Sequence, residues 1–256
     1  MAALLRMPHL PHIPPLWRES RFGLELAELR RSPVYRGHGV PDGGGRAVML
    51  IPGFLAGDNS LSVMAEWLRR MGHRPHMSGI RLNVDCSNRC LLGLERRLEG
   101  IADRSGRKVA IVGHSRGGHF AKALAHRRPE LVSRVISMGA GLDTPFAISA
   151  PTLGAVAAVR AVHHRTTDRT TRHGCLTAGC GCDFAHHYRA AFPEQVPITS
   201  IFSKGDGVVR WQSCVVPYAR CVEVTGSHIG LAFNRKAYRA VASELAKPVS
   251  PLPRAG

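Results

Sequence analysis

What most narrows the fold of this chain is an alternation of short apolar-rich runs with amphipathic segments. The runs stand at 47–51, 108–112, 132–138, 196–202 and 220–224, with a weaker one at 74–80. Apolar residues at successive positions, over so short a length, fit strands buried on both faces. Helical spacing fills the intervals: a helix capped by Asp58 or Ser60 and running through Trp67 to Arg70, then segments at 91–103, 119–126 and 235–247. This pattern predicts an α/β fold, with a mostly parallel central sheet of about six strands and helices on both faces. In such sheets the chemistry gathers beyond the carboxyl ends of the strands.

The 256 residues, 44% of them hydrophobic, suffice for one large domain with a real core. That domain is expected over 46–250, after an N-terminal extension at 1–45 that ends in Gly43-Gly44-Gly45. Within the extension, Phe22, Leu26 and Leu29 predict an amphipathic helix at 17–31 that leans on the main domain. Between Met138 and Val196 the chain is far longer than one connecting helix requires, so 141–195 is expected to form a cap, with a helix at 153–162.

One turn carries the chemistry. Gly113-His114-Ser115-Arg116-Gly117 follows the apolar run 109–112 and precedes a helical segment. A serine on a sharp strand-to-helix turn needs neighbours without bulk two residues to either side, and Gly113 and Gly117 meet that need. Gly118 lets the helix pack close to the sheet, and the helix N-terminus favours developing negative charge. The pattern is common by chance, and its position after a buried strand gives it weight.

The chain resembles the α/β-hydrolase superfamily, particularly its small bacterial lipase- and esterase-like members, over about 46–247. Four matches carry the resemblance: Ile51-Pro52-Gly53-Phe54, the 113–118 turn, Asp206 and His228, in the family's chain order. The resemblance implies an α/β-hydrolase fold and a Ser115, His228, Asp206 triad that cleaves a carboxylic ester through an acyl-serine intermediate without a cofactor. Backbone amides of Phe54 and Arg116 are the expected oxyanion donors, and a small-molecule acyl ester or lipid is the expected substrate. Among the 14 histidines, His228 is distinguished by its Gly-Ser-His turn before the last helix. His114 is expected to line the site. Asp143 rivals Asp206 as the acid, and Asp206, followed by Gly207, could also be an ordinary turn aspartate. An acyltransferase on the same triad, or a catalytically silent scaffold acting as a binding protein, would read similarly.

The formal charge of +17 could attract nucleic acid or an anionic membrane surface. The cations are dispersed and no nucleic-acid motif accompanies them, so no nucleic acid is expected and an anionic surface remains open. The N-terminal stretch lacks the apolar run of a signal peptide and 146–162 falls short of a membrane span, so a cytoplasmic location is expected. Seven cysteines argue against a full disulfide framework. His173, Cys175, Cys180, Cys182, His186 and His187 crowd one stretch. Free thiols are expected there and no metal, with a disulfide to Cys214 or a zinc site as the alternatives.

Overall fold

The computed structural model of the protein describes residues 16–166, 176–177 and 179–248. Six strands form its sheet: β1 (Ala47–Ile51), β2 (Arg74–Met77), β3 (Val109–His114), β4 (Val132–Met138), β5 (Ile198–Ser203) and β6 (Arg220–Val224). They run in the order β2-β1-β3-β4-β5-β6, and every pairing is parallel. Among the described residues seven α-helices accompany the sheet: α1 (Phe22–Arg31), α2 (Ser62–Arg70), α3 (Ser87–Ser105), α4 (Arg116–Arg127), α5 (Ala150–Thr166), α6 (Asp183–Arg189) and α7 (Arg235–Ala246). This is the α/β-hydrolase fold.

The successive apolar residues of the inner strands serve two cores. Ala47, Met49 and Ile51 of β1 join Val109 and Ile111 of β3 against α3, α4 and α6. Val48 and Leu50 join Ala110 and Val112 on the opposite face, against α1, α2 and α7. Because side chains alternate across a strand, a run lacking any polar position is what a sheet covered on both faces requires. Trp67 of α2 anchors the second core, its indole N–H donating to the Val34 carbonyl at 3.0 Å. Its ring packs against Tyr238 of α7, with centroids 4.7 Å apart.

Several boundaries differ from the expectations. Neither Asp58 nor Ser60 caps α2, whose first turn follows a short 3-10 turn at Asp58–Leu61 with no side-chain cap. The Asp58 carboxylate is engaged elsewhere: it accepts from the amides of Ser78 and Gly79 and from the Ser78 hydroxyl, fastening the loop after β2. Strand β2 stops at Met77 rather than at 80. Helix α4 starts at Arg116, so Gly117 and Gly118 lie inside it rather than ahead of it. In α1 only Leu29 of the three spaced apolar residues is buried, while Phe22 remains 45% exposed. That helix is attached instead through the carboxylate of Glu25 and that of Glu19 in the 3-10 turn preceding it. Among the described residues, no helix is long and apolar enough to cross a membrane.

The sheet order also locates the site. From β1 the chain steps outward to β2 and then returns to place β3 on β1's other side. At such a switch point the loops leaving adjacent strands diverge and open a crevice. The register pairs Ile51 with Gly113, so the loop after β1 and the turn after β3 emerge side by side.

Candidate active site

Ser115 sits between β3 and α4 with φ 52° and ψ −125°. A non-glycine residue held there costs about 1–3 kcal/mol and needs surroundings that enforce it. Its amide donates to the Met138 carbonyl at 2.8 Å, and its own carbonyl accepts from Gly118 at 2.8 Å. The flanking glycines are required by contact. A Cβ on Gly113 would strike the Gly117 backbone, and one on Gly117 would strike the carbonyl of Ile51. On Gly118 it would fall 2.5 Å from the Ser137 hydroxyl and 2.6 Å from Ala140 Cβ.

Beyond β5 and β6, two loops bring Asp206 and His228 together. His228 Nδ1 lies 2.7 Å from Asp206 Oδ2, with the side chains only 7% and 2% exposed. Asp206 Oδ1 accepts from the amides of Val208 and Val209 at 2.8 and 2.7 Å, which fixes the carboxylate and leaves Oδ2 to the imidazole. Burial alone would lower the His228 pKa. The charge and hydrogen bond of Asp206, helped by the charge of Glu19, outweigh it and hold the pKa above the ordinary 6.5. Asp143, the rival acid, lines the same cavity, yet it is Asp206 that meets the imidazole.

Gly139, directly after β4, has φ 59°; a Cβ there would lie 2.7 Å from Leu231 and 3.2 Å from both Asp206 Oδ2 and His228 Nδ1. Its signal in the sequence is its place directly after β4, the strand paired with β3. His114 does line the cavity, as expected. Burial and the neighbouring His228 push its pKa down to about 4, so it is neutral at pH 7. Its Nε2, 2.9 Å from the His228 carbonyl oxygen, is therefore the protonated nitrogen and donates there. His119 is likewise neutral, its pKa lowered to about 3 chiefly by burial.

On the other side of Ser115 lies the loop after β1. Gly53 comes so close that a Cβ would be 3.0 Å from Ser115 Cβ. Phe54 follows it, and Leu55 adopts φ 59° while donating its amide to the Asn83 carbonyl at 3.3 Å. Asn83 is fully buried and was not singled out in the sequence. Its Nδ2 donates to the Pro52 carbonyl at 2.8 Å, and its Oδ1 accepts from Arg116 Nη1 at 3.0 Å. The Arg116 guanidinium also donates to the Asp85 carbonyl and the Ser87 hydroxyl, at 2.7 and 3.0 Å. Asn83 thus ties the loop carrying Phe54 to the first residue of α4.

Ser115, His228, Phe54 and Arg116 all border one cavity of about 770 Å³. Its wall is largely apolar, with Phe146, Val156 and Phe233 among the contributors, and α5 and α6 supply part of it. Cys180, also in the wall, has its Sγ 3.2 Å from that of Cys182. Cys90, Cys180, Cys182, Cys214 and Cys221 are free thiols. His173 and Cys175 lie outside the described residues. Among the described residues, no group of three or more ligating side chains could hold a metal ion.

Residues 94–192 match the model of a family described as putative esterases. Three of the solved structures that share the fold are similar to this chain as follows. The mature lipase BlEst2 of Bacillus licheniformis aligns with TM-score 0.56 and 16% identity, over 81% of this chain and 94% of its own. A monoacylglycerol lipase of Paleococcus ferrophilus gives 0.54 and 15%, over 81% and 95%. A putative aryl esterase of Burkholderia cenocepacia gives 0.50 and 16%, over 81% and 94%. No curated protein sequence matches the chain significantly.

Proposed function

We propose, for a chain that has the α/β-hydrolase fold and matches an esterase family over part of its length, that it hydrolyses carboxylic esters at Ser115. The observation that carries this reading is the His228–Asp206 pair, held at 2.7 Å on the same cavity as a serine in a strained elbow turn. A serine hydroxyl attacks at neutral pH only with a base to take its proton. Asp206 holds Nδ1 of His228, which leaves Nε2 to accept that proton. Ser115 Oγ then adds to the ester carbonyl, and the resulting oxyanion is held by the amides of Phe54 and Arg116. Collapse expels the alcohol, which takes the proton from His228. Water, deprotonated by the same imidazole, adds to the acyl-serine, and collapse releases the acid and restores Ser115.

The apolar wall favours an acyl chain or aromatic acyl group over a polar one. Phe22, Leu55 and Ile229 are 45%, 50% and 43% exposed and border the cavity, which gives it an apolar mouth. The segment at 141–195 acts as a cap that shapes this cavity, and 46–250 is the catalytic domain. A series of p-nitrophenyl esters of increasing chain length tests the reading. Turnover by the wild type, lost in Ser115→Ala, supports it. Absence of turnover across the series, or equal turnover by Ser115→Ala, overturns it.

A further inference from the structure

The chain ahead of β1 reaches the site through two carboxylates. Glu19, only 8% exposed, lies in the 3-10 turn leading into α1. Its Oε1 accepts from the amides of Gly207 and His228, both at 3.0 Å, and its Oε2 accepts from Ile229 at 2.8 Å. One carboxylate therefore spans the residue after Asp206 and the backbone of His228 itself. Six residues on, Glu25 Oε1 accepts from the Ser227 amide at 2.9 Å and Oε2 from the Ser227 hydroxyl at 2.8 Å. That hydroxyl in turn accepts from Gly230 at 3.0 Å. The loops are shaped to admit these groups. A Cβ on Gly226 would lie 2.6 Å from Glu25 Oε1, and one on Gly230 would collide with Oε2.

Resting on the esterase reading above, we propose that Glu19 is a positioning residue that clamps the Asp206 and His228 loops in register, with Glu25 holding the flank of the second loop. Hydrogen bonds from amides to a carboxylate are stronger than neutral ones, and three on one buried group fix both loops to a single point. Neither loop is a strand, so no sheet ladder sets the Asp206–His228 spacing. The clamp also adds charge. The groups facing His228 are Asp206 at Nδ1, Glu19 at its amide, His114, which is neutral, at its carbonyl, and the nearby His119, also neutral. Glu25 lies one residue away at Ser227. Glu19 and Asp206 both favour the imidazolium.

Glu19→Gln keeps the shape but removes the charge and turns one acceptor into a donor that faces backbone N–H groups. Full-length wild type, Glu19→Gln, Glu19→Ala and the control Glu28→Gln should be compared by NMR titration of His228, by amide exchange, and by ester kinetics against pH. In Glu19→Gln the His228 pKa should fall, and exchange at Gly207, His228 and Ile229 should quicken. The acid limb of kcat/KM should move to lower pH. A displacement of the base costs about 10- to 100-fold in kcat with little change in KM. Glu28, exposed on α1, should behave as wild type. A Glu19→Gln protein that is less heat-stable but keeps the wild-type His228 titration, amide exchange and kcat would overturn the clamp. If Glu19→Ala fails to fold, Glu19→Gln decides. A wild type that turns over no ester sinks the esterase reading alone, because titration and amide exchange then decide the clamp.

Discussion

Asp206→Asn is the substitution whose consequence the geometry dictates most fully. The carboxylate faces three donors: the amides of Val208 and Val209 at Oδ1, and His228 Nδ1 at Oδ2. An asparagine has one acceptor oxygen and one donor NH₂. If its oxygen takes the Oδ1 place, both amides remain satisfied and the NH₂ faces His228. The imidazole must then present a bare Nδ1 and carry its proton on Nε2, so it cannot take the Ser115 proton. Turning the amide over restores the bond to His228 but sets the NH₂ against two backbone donors, at a cost of about 1–3 kcal/mol for each group left unpaired. The first arrangement therefore wins, and the protein stays folded with the wrong tautomer. A loss of about 10⁴ in kcat is expected, the scale reported for a misplaced tautomer in a triad, which is about 5 kcal/mol of barrier. Steady-state hydrolysis of a p-nitrophenyl ester, with circular dichroism to confirm folding, measures it. Asp143→Asn should change kcat by less than about tenfold, since it is Asp206 that holds His228 Nδ1. A folded Asp206→Asn within tenfold of wild type, or an Asp143→Asn that is the worse of the two, would refute the reasoning.

Further expectations follow from the same contacts. The kcat/KM profile should rise through an apparent pKa above 6.5, because His228 is raised from that value and acts as base only when neutral; a midpoint well below 6.5 would contradict the pairing. His119 is buried neutral, its pKa lowered from 6.5 to about 3. Between those values the unfolded chain binds more protons, so stability falls as pH drops through that window, and His119→Gln should flatten the acid side of a plot of Tm against pH. Gly117→Ala drives a methyl into the Ile51 carbonyl and should destabilise by about 3 kcal/mol or more in urea unfolding, the upper range for overpacking. Val156→Trp narrows the wall that α5 gives the cavity, and should lower kcat/KM for long acyl esters relative to acetate, as a chain-length series would show.

Much of this arrangement could be read from the sequence because it depends on local pattern. Inner strands buried on both faces leave unbroken apolar runs at β1 and over the first four residues of β3, while β4 is legible from Val132, Val135, Ile136 and Met138 although Ser133, Arg134 and Ser137 interrupt it. Strand β2, with burial only partial along Arg74–Met77, leaves a weaker trace, and its end was misplaced. The sequence sets the start of α4 too late, because glycines at 117 and 118 suggest a turn. Here they are helical residues whose missing side chains let the helix touch Ile51, Ser137 and Ala140. Among the candidate site residues, Ser115, Asp206 and His228 stand out in the sequence because each follows a strand. Asn83 and Glu19 were not, since their roles consist of bonds to backbone groups 31 and about 200 residues away. A charged residue on an amphipathic helix ordinarily faces water. Nothing in the spacing of Phe22, Leu26 and Leu29 reveals that Glu19 and Glu25 point inward.

The account stands or falls on whether Ser115 is an activated nucleophile. Incubation with a fluorophosphonate, followed by peptide mass spectrometry, tests this with no assumption about the natural ester. A single adduct on Ser115, abolished in Ser115→Ala and slowed in His228→Ala, is the expected result. A wild type left unlabelled under conditions that label an ordinary serine esterase, or an adduct that persists elsewhere in Ser115→Ala, would contradict it.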